Sequence, residues 1–228
     1  MNPIPYIDIH THPFRLETET VVVQNIFPGE GFAAFSGRNF YSVGLHPWHI
    51  KTPEENDNLL QQVKEALEFD HVIFVGECGL DKRTETSFEE QKRVFEAQVV
   101  LSEEFQKPLI IHCVRAYNEV LEIHRKMKPA QTWIFHGYNG SVEFTRQVAS
   151  GNFMFSFGEA LFLRGTKAIE SFKYLPFHKL FFETDEYDGE VEHIYRQGAK
   201  LKAVSEDDLK NAVWNNFNRI ENNLIRRF

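Results

Sequence analysis

Only two cysteines, Cys78 and Cys113, occur among the 228 residues. That number excludes a disulfide-stapled scaffold and suits a reducing compartment. No run of about 18 apolar residues is present, which excludes a long membrane-spanning helix, and the first residues lack the apolar core of a secretory signal. Positive charge is also scarce: 25 Lys and Arg face 33 Asp and Glu, a formal net charge of −8. General electrostatic attachment to nucleic acid or to an anionic membrane is therefore not expected. A phosphate-bearing substrate remains compatible, because bound cations reverse the sign locally. Internal repeats, low-complexity tracts and interdomain linkers are absent as well. The expectation is a soluble, cytoplasmic chain, one domain over residues 1–228, with no obligate protein partner.

What the chain has is core material: 42% hydrophobic residues and 22 phenylalanines. Eight short apolar, aromatic and β-branched segments read as buried parallel strands. They are Tyr6 to His12, Thr20 to Phe27, Phe40 to Leu45, Val72 to Gly76, Leu109 to His112, Trp133 to His136, Phe153 to Phe157 and Leu180 to Thr184. Helix signals fall between them. Thr52-Pro53-Glu54-Glu55 carries an N-cap, a proline at the first helical position and a capping-box glutamate. Ser87-Phe88-Glu89-Glu90 repeats the box ahead of an amphipathic stretch reaching about Gln106. Further helices are predicted over Ala116–Lys128, Ser141–Ser150, Ala168–Tyr174 and Ser205–Asn222, the last with Leu209, Val213, Phe217 and Ile220 on one face. Eight strands alternating with helices predict an α/β fold, a single (β/α)8 TIM-like barrel with shortened early and late helical segments.

The strand ends carry the chemistry. The first ends in His10-Thr11-His12; Asp8, His10 and His12 alternate and so share one face of a strand. The third runs into His46-Pro47-Trp48-His49, the fourth into Glu77-Cys78-Gly79-Leu80-Asp81, the fifth ends in His112, the sixth in His136 and the eighth in Glu183-Thr184-Asp185. Barrels of this type place their active sites where the carboxyl ends of the strands converge. Imidazoles and carboxylates bind divalent cations without any thiolate. Six candidate ligands exceed the needs of one four-coordinate ion and match two ions sharing a carboxylate, for which Glu77 is the natural bridge. Asp185 can serve as ligand and also orient or deprotonate an attacking water. Asp8 is placed to hold the His10 tautomer.

Each residue alone has a structural reading too. His136 suits a hydrogen-bonded core histidine, Glu77 a turn, Asp185 a helix cap, and His46 and His49 a Pro-Trp turn. Lys82, Arg83 and Arg115 suit either a phosphate or open solvent. The metal reading rests on the coincidence of such residues at five strand ends.

The ordered stretches "DIHTH", "VGLHPWH", "VGECGLD", "KPLIIHCVRA", "IFHGYNGS", "FMFSFG" and "FFETD" resemble the TatD family of metal-dependent hydrolases over roughly residues 6–188, and "VWNNFNRI" resembles its closing helix. The resemblance implies a two-metal site from His10, His12, Glu77, His112, His136 and Asp185. It implies a hydrolase acting on ester bonds, a deoxyribonuclease or phosphodiesterase that uses Mg2+ or Mn2+ and a metal-activated water, while the histidine-rich ligand set also suits Zn2+. DNA or a small phosphodiester would be the substrate, Asp185 and Glu77 the catalytic carboxylates and Arg115 a phosphate contact; His46 and His49, flanking the Pro-Trp turn, are candidate substrate contacts from their position alone. Arg115 stands one residue later than the family's usual His-x-Arg spacing. A hydrolase of the same barrel type acting on a C–N or ester bond of a small molecule is the alternative, and a catalytically silent barrel the third reading.

Overall fold

The computed structural model describes residues 4–13, 19–29 and 40–225, with side chains to residue 220. Eight strands form one sheet in sequence order: β1 (Tyr6–Thr11), β2 (Thr20–Ile26), β3 (Phe40–Val43), β4 (Val72–Asp81), β5 (Leu109–Val114), β6 (Trp133–Phe135), β7 (Phe153–Phe157) and β8 (Leu180–Phe182). The registered pairs are parallel. Just past β8, Asp185 bridges to Thr11 in parallel fashion, with its amide donating to the His10 carbonyl at 3.0 Å. The eight parallel strands thus form a nearly closed barrel, with α1 (Pro53–Ala66), α2 (Phe88–Phe105), α3 (Tyr117–Met127), α4 (Val142–Val148), α5 (Lys167–Tyr174), α6 (Val191–Lys202) and α7 (Glu206–Ile225) in the connections and after β8. None of the described helices is long and apolar enough to cross a membrane. The reduced helices expected between residues 13 and 40 fall largely outside the described residues. By contact density the chain divides into two compact units, Met1–Gln24 with Phe135–Phe228, and Asn25–Ile134.

In the unit from residue 25 to 134, β4 is buried along all ten residues. It is longer than its apolar run suggests, because the ladder with β5, after a register shift between Val75 and Cys78 that takes in Glu77, resumes at Cys78 and runs to Asp81. Thr52 and Glu55 close a full capping box on α1. On α2 only half of the second box forms. The Ser87 hydroxyl accepts from the Glu90 amide, while the Glu90 carboxylate is taken by Arg93 and Asn56. The inner stripe of α2 (Gln91, Val94, Phe95, Gln98, Val99 and Ser102) follows helical spacing and is buried. Two of its polar members grip backbone. Gln98 accepts from the Leu45 amide at 2.7 Å and donates to the Leu45 carbonyl at 3.1 Å. Gln91 does the same to Asp81, at 2.8 and 3.1 Å.

In the other unit the core is aromatic: Phe135, Tyr138, Phe155, Phe157, Phe172, Phe182 and Tyr195 are all buried. Helix α6, which the sequence reading did not mark, lays Val191, Ile194, Tyr195, Gly198 and Ala199 inward. Gly198 interrupts the apolar stripe because a Cβ there would stand 2.9 Å from the Phe182 ring. The Tyr195 hydroxyl donates to the Ile7 carbonyl at 3.1 Å, tying α6 to β1. Asn216 of α7 donates to the carbonyls of Phe177 and Leu180 at 2.8 and 2.9 Å, fixing the approach to β8.

The Gln98 clamp is testable. Gln98→Leu keeps the volume but leaves the buried Leu45 amide and carbonyl without these partners, a cost of about 1–3 kcal/mol. The urea midpoint should fall accordingly; an unchanged midpoint would show that the clamp adds nothing to stability.

Candidate metal centre

In the unit that holds β1 and β8, His10 is fully buried on β1 and His12 lies just beyond its end. Their rings meet edge to face at 4.9 Å, and the His10 and His136 rings lie 4.5 Å apart. The Asp185 carboxylate stands 3.4 Å from His12 Nε2 and 3.8 Å from His10 Nε2. Asp185 reaches this place through a left-handed backbone, φ +54°, that Asp tolerates better than most residues. The Asp8 carboxylate accepts from the Thr184 amide at 2.9 Å and from its hydroxyl at 2.6 Å, which anchors the residue before Asp185.

Glu183 completes this cluster. It is fully buried, accepts from the Gly137 amide, and stands 3.5 Å from His136 Nδ1. Burial alone would raise its pKa, but hydrogen bonding and charge attraction from His136 and His10 outweigh it and hold the carboxyl below the usual range. A carboxylate on Nδ1 leaves His136 Nε2 for an ion, an arrangement common among metal-bound histidines.

In the unit from residue 25 to 134, Glu77 is the centre. Its Oε1 lies 2.8 Å from His112 Nδ1 and 3.2 Å from His46 Nε2, all three being largely or wholly buried. The Glu77 amide donates to Asn25 Oδ1 at 2.7 Å, which fixes its backbone. His46 Nδ1 accepts from the Trp48 amide at 3.1 Å, so its Nε2 carries the proton that faces Glu77. On the far side of His112, Nε2 meets Asp81 Oδ2 at 3.1 Å, and the same oxygen accepts from the Trp48 indole at 2.7 Å. Burial would raise the Asp81 pKa, yet the bonds from Trp48, the Arg83 amide and His112 bring it below normal.

Of the residues singled out in the sequence, His10, His12, His136 and Asp185 come together in one unit, and Glu77, His112 and His46 in the other. His46 sits against Glu77 itself. His49 is exposed, with its ring edge-on to Phe27 at 4.6 Å, and Arg115 is exposed one residue past β5; neither joins these clusters. Burial pushes both cysteine thiols well up, which removes them as nucleophiles. Glu183 and Asp81 are the residues the sequence reading passed over. Each stands in a strand-end motif, but only the fold shows the histidine it supports.

Within each unit the donor chemistry fits a divalent ion. His10, His136 and Asp185 offer ligand atoms within 4.8 Å of one another, as do His46, Glu77 and His112. An ion with bonds of about 2.0–2.2 Å spans such a set after a modest contraction. Imidazole with carboxylate suits zinc or manganese, and no thiolate is needed.

The sequence profile of the TatD related DNase family matches residues 30–222, a span that begins after His10 and His12. The chain is 29% identical over 197 residues to YabD, an uncharacterized metal-dependent hydrolase of Bacillus subtilis, covering 79% of this chain and 76% of that protein. Three further uncharacterized metal-dependent hydrolases are spanned for only 62%, 58% and 54% of their length. A 3'-5' ssDNA/RNA exonuclease, TatD of Pantoea, is 30% identical over 105 residues, 45% of this chain and 39% of that one. Among solved structures, the TatD homolog YjjV of Escherichia coli superposes with a TM-score of 0.81 at 21% identity, over 94% of this chain and 97% of its own, a likeness of fold. With the profile running through most of its length, the chain belongs to the TatD family of metal-dependent hydrolases.

Proposed function

We propose that the protein is a divalent-metal-dependent phosphodiesterase that removes nucleotides from the end of a DNA strand. The observation that carries this reading is the gathering of His10, His12, His136 and Asp185 at the carboxyl ends of β1, β6 and β8 in a chain of this family. The 3'-5' ssDNA/RNA exonuclease among its relatives supports the substrate class. His10, His12, Glu77, His112, His136 and Asp185 are the proposed ligands of two divalent ions. Such ions supply Lewis acidity and offset charge at a phosphoryl group. The protein's own groups do the rest. Asp185, partly open to solvent, accepts the proton of the water that attacks phosphorus in line with the leaving oxygen. Glu183 and Asp81 hold His136 and His112 at one ring nitrogen and present the other.

Two measurements test this reading. Chelator-stripped protein, resupplied separately with magnesium, manganese or zinc, should shorten 5'-labelled single-stranded DNA stepwise. Asp185→Asn should lose about 100-fold or more of that rate while melting near the wild-type temperature. Full activity in Asp185→Asn would remove its assigned role. No cleavage with any ion, in protein that rebinds metal, would favour a small-molecule C–N or ester hydrolase.

Glu77→Ala should lose bound metal, read by elemental analysis of dialysed protein, together with turnover. A variant that keeps both would take Glu77 out of the site.

A further inference from the structure

A cavity of about 440 Å³, lined by Trp48, Asp81, Arg83, Thr84 and Val114, adjoins the histidine–carboxylate cluster of the unit from residue 25 to 134. The volume falls within the range of small-ligand sites. Trp48 is its unusual wall, 60% exposed and the most open large hydrophobic side chain among the described residues. Single exposed apolar side chains are ordinary on protein surfaces. Trp48 differs in how firmly it is held. Its indole N–H donates to Asp81 at 2.7 Å and its amide to His46 Nδ1 at 3.1 Å, and the preceding Pro47 carbonyl accepts from Thr86 at 3.0 Å. Fixing a large side chain costs conformational entropy, and leaving it open forgoes burial. The ring meets the His46 and His112 rings edge to face, at 5.0 and 6.0 Å, and the remainder of its surface stays open, so in the isolated chain those costs are recovered only in part.

Arg83 shares the cavity. Its amide donates to Asp81 Oδ1 at 2.7 Å, which sets the loop, and its guanidinium is exposed without an ion-pair partner among the described residues. Neighbouring cations are paired: Lys82 with Glu119, and Arg93 with Glu90 and Asp57. In a chain with a formal net charge of −8, an uncommitted guanidinium beside a fixed aromatic face stands out. A flat π surface takes a nucleobase, and a guanidinium takes a phosphate.

We propose that this cavity is a nucleotide subsite in which a base of single-stranded nucleic acid stacks on Trp48 while a backbone phosphate meets Arg83. The subsite rests on the phosphodiesterase reading and names its substrate form: an unpaired end, since a base inside a duplex already has both faces covered. Stacking is tolerant of base identity, so the subsite grips a strand without selecting sequence.

The test is binding of a short phosphorothioate thymidine oligonucleotide to metal-loaded full chain, followed by fluorescence anisotropy. Trp48→Ala should weaken binding about 5- to 150-fold, the span of one lost stacking contact. Trp48→Phe keeps a π face but loses the bond to Asp81, and should stay within about threefold of wild type. An abasic oligonucleotide should bind wild type and Trp48→Phe as weakly as thymidine binds Trp48→Ala, which keeps the test intact even if the alanine variant fails to fold. Arg83→Ala should make the slope of log affinity against log salt shallower by about 0.7, one phosphate contact. Phe behaving like Ala would show that Trp48 acts through Asp81 alone and would overturn the subsite. So would equal affinity for thymidine and abasic strands in a wild type that still hydrolyses bis(p-nitrophenyl) phosphate, and that result leaves the phosphodiesterase reading standing. A wild type that binds no oligonucleotide and hydrolyses no phosphodiester overturns both.

Discussion

A carboxylate taken out of water must be paired, and the ends of these strands are arranged around that requirement. An unpartnered buried carboxylate costs several kcal/mol even after relaxation. Here Asp8, Glu77, Asp81 and Glu183 are all buried. Each is met by at least one group that could hardly meet it in an unfolded chain. Asp8 takes the amide and hydroxyl of Thr184; Glu77 takes two imidazoles; Asp81 takes an indole, an amide and an imidazole; Glu183 takes an amide and stands against His136. Apart from the Arg83 amide, two residues from Asp81, these partners come from segments far apart in sequence, so satisfying the charge and bringing the strand ends into place are one event.

The same requirement explains why polar side chains sit in the stripe of α2. A stripe of leucine would bury more apolar surface, but it would leave the backbone at Leu45 and Asp81 to find other partners. Gln98 and Gln91 supply both a donor and an acceptor to one residue each. Leu45 immediately precedes His46, and Asp81 holds His112, so a helix on the outside of the sheet fixes the two imidazoles that face Glu77. Preorganisation of this kind is what a metal or substrate site needs, because ligand atoms misplaced by an ångström forfeit much of the interaction. The histidine–carboxylate clusters therefore depend on residues that have no chemistry of their own.

Period and turn chemistry made much of the fold legible. All eight strands lie where short apolar runs stood, and α1 begins at its proline behind a complete capping box. The misreadings share a cause. Val72 to Gly76 looked like a whole strand because Glu77 and Asp81 are polar, yet past a register shift at Glu77 the ladder with β5 resumes and runs from Cys78 to Asp81. The stripe Val191, Ile194, Tyr195 and Ala199 was helical in spacing, but Gly198 hid it, and Gly198 is required by the Phe182 ring that no local pattern reveals. The same holds for the site. His10, His12, Glu77, His112, His136 and Asp185 were readable as candidate ligands at strand ends by type and position, and the structure gathers them within their units. Glu183 and Asp81 were not assigned a part, because supporting a histidine is a relation between strands and leaves no spacing in the chain.

An acidic chain that acts on a polyanion needs a source of attraction other than a basic face. Most proteins that track nucleic acid neutralise several phosphates at once, and their affinity collapses as salt rises. With 25 basic against 33 acidic residues, and neighbouring cations such as Lys82 and Arg93 tied to carboxylates, little of that route is open here. Stacking on a fixed indole does not depend on net charge and is only weakly screened by salt. It also works only where a base is unpaired. In the proposed reading, then, the shortage of positive charge and the exposure of Trp48 belong together: weak attraction along the strand leaves recognition to the few contacts at an open end, which is where an enzyme removing terminal nucleotides has to hold its substrate.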